Sequence, residues 1–244
     1  MAHQYFCEGL SSANVGALVE LVGDEAHHAA KVSRVRPGER LLLTDGYGAR
    51  ASVFVEGVTS TSITCRIESL TREPPQSPEV TLVQALAKTD RDERAIEAAT
   101  ELGVTEIIPW QAHRSVSRWV GEKREKGRLR WQTLVREATK QSLRSWTPVV
   151  RDMCETAALI TALAGRSIIV LDPRGTQGFS SLPDSFFSGP IAVVVGPEGG
   201  ISDEELVIFS EAGARVVTLG SHILRTSTAG PALLAMLNER CSRW

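Results

Sequence analysis

The stretch VVVGPEGGISDEEL (193–206), followed by VVTLGSHILRTSTAG (216–230), decides the fold. The apolar run IAVVV (191–195) leads into a glycine turn, and Ser202 with Glu205 three residues later has the pattern of a capping box that starts a helix. RVVTLG (215–220) is then a second strand, and Thr226 to Arg240 a final helix. Working back toward the amino terminus, the same alternation recurs. SIIVLD (167–172) is a strand after a helix near 155–164, EIIPW (106–110) a strand before a long basic helix over 122–145, and VTLVQAL (80–86) a strand before a helix from Asp90 to Leu102, closed by Gly103. Nearly continuous Val/Ile/Leu strands alternating with helices predict a parallel sheet covered on both faces, an α/β fold.

The first part of the chain reads differently. LLLT (41–44), ASVFVEGV (51–58) and SITCRI (62–67) are short β-rich runs separated by turn residues such as Pro37-Gly38 and Asp45-Gly46, which suggests a small barrel. TREPPQSPE (71–79) carries Pro74, Pro75 and Pro78, which exclude helix and central strand, so it reads as a linker. Two domains are expected, at 1–73 and 78–244. The 244 residues are enough for both, and 42% hydrophobic with 23% charged residues is an ordinary globular composition. The start, MAHQYFCEGL, lacks a basic flank followed by an apolar stretch, and no apolar run approaches the roughly 20 residues of a membrane span, so a cytoplasmic protein with no membrane partner is expected. The four cysteines form no C-x-x-C pair, and no metal site is expected.

The formal net charge of −2 excludes a uniformly basic nucleic-acid binder, but the charge is unevenly placed. From His113 to Arg144 there are 10 basic side chains against 3 acidic ones, a net of +7 in 32 residues. Such asymmetry points to a polyanionic partner.

Open α/β sheets bind ligands just past the carboxyl ends of their strands. Three strands here end in unusual loops, LDPRG (171–175), VGPEGG (195–200) and TLGSHILRTSTAG (218–230). Gly196, Gly199 and Gly200 permit a tight turn and close approach to a ligand; the same glycines also suit a plain strand-to-helix turn. Neither loop matches the dinucleotide or nucleoside-triphosphate fingerprints. In the last loop, Arg225 and the hydroxyls of Thr226, Ser227 and Thr228 cluster at a helix start, where capping accounts for one hydroxyl but not for all of them. Arg225 is therefore either a ligand-binding cation or a structural partner, for instance of Glu198.

These two stretches resemble the carboxy-terminal signature of the RsmE family of SPOUT-superfamily RNA methyltransferases, which methylate N3 of a uridine in 16S ribosomal RNA. HHAAKVSRVRPGER (27–40), ATELGVTEIIPW (99–110) and EATKQSLRSWTP (137–148) extend the resemblance over most of the chain in the same order. The chain departs from the family where LRTSTA places Ser227 at a position that many members fill with glutamate, and where Ala98 stands at a frequent lysine. The resemblance implies an N-terminal PUA-like β-barrel, a C-terminal α/β domain with a trefoil knot that binds S-adenosylmethionine, and a homodimer; the small and apolar positions Ala229, Ala232, Leu233, Ala235 and Met236 of the final helix suit a dimer interface and equally packing within one subunit. It implies a cofactor pocket from Leu171, Val195, Gly196, Pro197, Glu198, Gly199, Leu219, Gly220, Ile223, Leu224, Thr226 and Thr228.

The chemistry of uracil then assigns roles. N3 must lose its proton before it attacks a methyl group, and the developing anion spreads over two carbonyl oxygens. A cation stabilises it, and Arg225 is the candidate; its guanidinium is too basic to serve as the base. Glu198 is a candidate proton acceptor or a turn-stabilising residue. For ribosomal RNA or the small subunit, the expected contacts are His28, Lys31, Arg34 and Arg36 in the first domain and Arg114, Arg118 and Arg124 in the basic segment. The competing expectations are a non-catalytic RNA-binding protein of ribosome assembly, a methyltransferase of the same superfamily acting on another base, and a small-molecule enzyme using the same crevice.

Overall fold

The computed structural model describes residues 4–244, which pack as two units. One consists of the chain up to Pro75 together with Arg136–Thr147, the other of Gln76–Val135 and Pro148–Trp244.

The first unit is built on β1 (Gln4–Phe6), β2 (Leu18–Val22), α1 (Gly23–His27), β3 (Arg40–Thr44), β4 (Ala49–Val58) and β5 (Ser62–Arg72). Its strands pair in the order β1-β3-β4-β5-β2. All neighbours are antiparallel except β1 and β3. Strand alternation sends Ala49, Ala51, Val53 and Val55 of β4 inward, against Ile63, Cys65 and Ile67 of β5 and Leu43 of β3. Register shifts at Ser52/Val53 and Val55/Gly57 mark bulges, which bend and twist the sheet around this core. β5 reaches Arg72, so the proline-rich stretch acts as a connection only from Glu73 onward.

The second unit contains β6 (Val80–Ala85), α2 (Arg91–Glu101), β7 (Glu106–Trp110), α3 (Glu122–Gln141) up to Val135, β8 (Val149–Val150), α4 (Thr156–Ala162), β9 (Ser167–Leu171), β10 (Gln177–Gly178), β11 (Ile191–Val195), α5 (Asp203–Glu211), β12 (Arg215–Thr218) and α6 (Thr226–Arg240). Its seven strands run in the order β10-β12-β9-β11-β6-β7-β8, with every pair parallel. Val80, Leu82, Ile169, Ile191, Val193 and Val217 face one core with Ile96 and Ala99 of α2 and Leu233, Leu234 and Leu237 of α6. Val83, Ile168, Val170, Ala192 and Val194 face the other core, with Leu159 of α4 and Phe209 of α5. This is the doubly covered sheet that the unbroken apolar strands predict. The capping box at α5 is also formed: the Ser202 hydroxyl accepts from Glu205 N, and the Glu205 carboxylate accepts from Ser202 N.

The long basic helix ends at Gln141, four residues before the sequence suggests, because Leu143 turns left-handed at φ 56. The chain from Arg136 to Thr147 packs with the first unit through backbone carbonyls and side chains. Gln4 Nε2 donates to Arg144 O at 2.8 Å, Gly48 N to Ser145 O at 2.9 Å, and Trp146 Nε1 to Glu73 O at 2.9 Å. Gly48 is required there, since a Cβ would lie 2.6 Å from Glu73 O and 2.8 Å from the Trp146 ring, and its φ is +102.

Candidate active site

β12, β9, β11 and β6 are neighbours in that order, so the loops at their carboxyl ends meet. Between the loops after β9 and β12 lies a cavity of about 220 Å³, lined by Leu171, Asp172, Pro173, the run Val217–Leu224, and Ala229 of α6. Its walls are mostly aliphatic, with the backbone of the 218–222 loop supplying polar groups. An apolar slot edged by backbone donors and acceptors fits an adenine ring, and hence the nucleoside of S-adenosylmethionine. Leu171, Leu219, Gly220, Ile223 and Leu224, expected in the cofactor pocket, do line the cavity, with Ile223 left 81% exposed at its rim. Val195, Gly196, Pro197, Glu198, Gly199, Thr226 and Thr228 are not among its lining residues.

The glycine turn after β11 is held in place on all sides. Gly196 has no room for a side chain, because a Cβ would sit 2.7 Å from Cγ1 of the buried Ile201. The Glu198 carboxylate accepts from Lys88 N and from Arg91 Nη1, both at 3.1 Å, tying the turn to the loop after β6. Arg114 Nη1 donates to Gly199 O at 3.3 Å and reaches toward Ile201 O at 3.5 Å. Arg174 Nη2 donates to Ile201 O at 2.7 Å, while its Nε and Nη2 hold the two oxygens of Asp172 at 2.8 and 2.9 Å. Burial would push the Asp172 carboxyl up, but the hydrogen bonds and charge of Arg174 outweigh it and hold the group below the usual carboxylate range. Asp172 therefore faces the cavity as a carboxylate whose charge is already matched. The Thr226 hydroxyl donates to Gly196 O at 2.8 Å, so this residue secures the turn.

Arg225 is exposed and immediately precedes α6. Its carbonyl accepts from Thr228 N and Ala229 N at 2.8 and 3.0 Å, which fixes the backbone. Its guanidinium has no hydrogen-bond or ion-pair partner among the described residues, and Glu198, the structural partner considered from sequence, is bound to Arg91 instead. A fixed backbone carrying an uncommitted cation beside the cavity is suited to stabilising an external negative charge.

The basic segment is far less cationic on the surface than its sequence. Arg130 pairs with Glu93, Arg136 and Lys140 with Glu25, Arg124 with Glu155, and Arg128 with Glu125 and Asp152. Arg136 also stacks 3.7 Å over the Phe6 ring centroid. Arg118 donates to His113 O and Arg124 to Trp119 O. Of the residues expected to bind RNA there, Arg114 holds the glycine turn. In the first unit His28 is half-buried with its ring 5.9 Å from that of Tyr5, whereas Lys31, Arg34 and Arg36 are exposed and, among the described residues, unpaired.

Asp172, Arg174, Arg91 and Asp92 were not singled out in the sequence; only the close Asp-x-Arg spacing in LDPRG signalled the first pair. Asp92 is buried at the start of α2, where its oxygens accept from Ala87 N and Glu93 N at 3.1 and 3.0 Å. Burial pushes its carboxyl up to about 6. The folded chain thus binds a proton between the ordinary carboxylate range and about 6 that the unfolded chain does not, and stability falls as pH rises through that window. The expected slope from this group is about 1 kcal/mol per pH unit. Denaturant unfolding from pH 4 to 7 of the wild type and Asp92→Asn checks it, the variant losing this component.

Among the described residues there is no metal-binding cluster of His, Cys, Asp and Glu, and no helix is long and apolar enough to cross a membrane.

Comparison with known proteins agrees with this architecture. An RNA methyltransferase domain model matches residues 74–238, and an RNA methyltransferase PUA domain model matches residues 21–68. The chain is 40% identical over 236 residues to ribosomal RNA small subunit methyltransferase E of Mycobacterium tuberculosis, covering 95% of this chain and 90% of the relative. The Bacillus subtilis protein of the same name is 31% identical, with 86% and 85% covered. The crystal structure of ribosomal RNA small subunit methyltransferase E from Neisseria gonorrhoeae bound to S-adenosyl methionine superposes with a TM-score of 0.89 at 27% identity, covering 98% of both chains.

Proposed function

The chain belongs to the ribosomal RNA small subunit methyltransferase E family of RNA methyltransferases, and from that premise we propose that it transfers a methyl group from S-adenosylmethionine to N3 of a uridine in 16S ribosomal RNA. The observation that carries this reading is the aliphatic cavity after β9 and β12 with the unpaired Arg225 beside it. The cofactor supplies a methyl group activated on a sulfonium. The chain's own residues do the rest by position and charge. Leu171, Leu219, Leu224 and the 218–222 backbone hold the nucleoside. Arg225 stabilises the anion that develops on the uracil oxygens as the N3 proton passes to solvent water. Glu198, whose Oε1 accepts from Lys88 N and from Arg91 Nη1, serves the turn rather than accepting that proton. Radiolabel transfer from methyl-labelled cofactor to 16S ribosomal RNA tests the activity, and an unlabelled RNA would refute it.

The order β12-β9-β11-β6, with α6 returning from β12 to pack on β6 and β11, supports the knotted chain path that the family resemblance implies. Leu233 is buried within its own unit, but Met236 is exposed and Ala229, Ala232 and Ala235 are half-exposed on α6, which supports a homodimer through that face. A substrate in ribosomal RNA supports a cytoplasmic enzyme.

For RNA contact the exposed cations of the first unit are a supported surface, because among the described residues no carboxylate pairs with them. Lys31, Arg34 and Arg36 would neutralise phosphates, and the double variant Arg34→Glu, Arg36→Glu is expected to weaken binding. The slope of log K against log salt should fall by roughly 1.5 for two lost phosphate contacts. Titration of labelled RNA at several salt concentrations checks this, and an unchanged slope would move the RNA surface elsewhere.

A further inference from the structure

We propose that Gln84, a fully buried residue at the end of β6, is a positioning residue for methyl transfer: it sets the Thr226 hydroxyl that ties the first turn of α6 to the glycine turn after β11. This rests on the function proposed above. Gln84 lies outside the loops that line the cavity, with its neighbours Val195 on β11 and Pro109 on β7 in register on either side. Its Nε2 donates to Thr226 Oγ1 at 2.9 Å and to Ala85 O at 3.2 Å, while Oε1 is buried with no hydrogen-bond partner.

The direction of these bonds is dictated by donor and acceptor inventory. A threonine hydroxyl has one proton, and that of Thr226 goes to Gly196 O at 2.8 Å. The hydroxyl can then face Gln84 only as an acceptor, and the amide must present its NH2 group. Without that donor the hydroxyl is free to rotate and the Gly196 carbonyl loses a fixed partner. Two bonds therefore couple three elements that bear on the site: β6, the helix start directly after Arg225, and the turn at Gly196. An apolar side chain of similar volume would fill the space without leaving Oε1 unsatisfied. A glutamine here makes the site more precise at the expense of core stability.

The test uses the full chain, with kcat and KM for the cofactor measured on 16S ribosomal RNA at saturating RNA. Gln84→Met, matched in length and lacking a donor, is expected to lower kcat about tenfold while KM for the cofactor changes less than about twofold. Thr226→Val should match it. The double variant should be no worse than about twofold below either single one, because both remove the same relay. Thr226→Ser, which keeps the hydroxyl, should exceed Thr226→Val by about fivefold in kcat. The coupling is a ratio of rates normalised to folded enzyme, so a lowered melting temperature leaves it readable. A folded Gln84→Met with wild-type kcat overturns the inference, as does a double variant whose loss is the product of the single losses. A wild-type chain that transfers no methyl group overturns the proposed function itself.

Discussion

Arg225→Ala is expected to lower the single-turnover rate of methyl transfer by about 10²–10³-fold at saturating RNA and cofactor, with cofactor affinity changed only a few-fold. The expectation follows from where the side chain stands. Its backbone is fixed by Thr228 N and Ala229 N, and no internal carboxylate neutralises the guanidinium among the described residues. A charge so placed contributes little to folding and much to an anion that forms only as uracil N3 loses its proton. Arg225→Lys should recover only part of the rate, since a compact ammonium lacks the planar fork that can address a carbonyl through two donors. A rate for Arg225→Ala within twofold of wild type would remove the residue from the chemistry.

The second large effect is expected at Gly196. Valine there would drive a Cβ to 2.7 Å from Cγ1 of Ile201, a side chain that is itself buried and cannot swing away. The turn must shift, and with it the carbonyl held by Thr226 and the neighbouring carbonyls held by Arg114 and Arg174. Overpacking of this kind costs about 1–3 kcal/mol, which a sheet buried on both faces can absorb. We expect cofactor affinity to fall at least about 100-fold by calorimetry, because the shift passes through Thr226 to the start of α6, beside the cavity-lining Leu224 and Ala229, while circular dichroism still reports a folded chain. Unchanged affinity would show that the glycine turn does not shape the cofactor site.

The second unit was legible because its strands are apolar on both faces and its helix signals are local: the Ser202 box, Gly103 after α2, and the glycines after β11 all act within a few residues. The cavity was legible for the same reason, being built from strand ends that the alternating pattern located. Other features are set by distant partners. β1, β8 and β10 are two or three residues long, too short for periodicity to register. The return of Arg136–Thr147 to the first unit joins residues about 70 to 140 positions apart, through the carbonyls of Arg144 and Ser145 and through Arg136 and Lys140 on Glu25, and no local pattern marks such partners. The +7 of the basic segment misrepresents the surface because Glu25, Glu93, Asp152 and Glu155, which pair with it, lie elsewhere in the sequence. Arg114 is similar: its charge is plain in the sequence, whereas the bonds of its Nη1 to Gly199 O and Ile201 O depend on a turn 85 residues away.

In the proposed function the chain methylates one uridine of 16S ribosomal RNA at N3. Incubation of the purified protein with methyl-labelled S-adenosylmethionine and either deproteinised 16S RNA or assembled small subunits, followed by nuclease digestion and mass spectrometry of the labelled nucleoside, tests it most directly. A single labelled 3-methyluridine at one position is expected, absent with Arg225→Ala at short times. Label on another base, or none on either substrate, would contradict it.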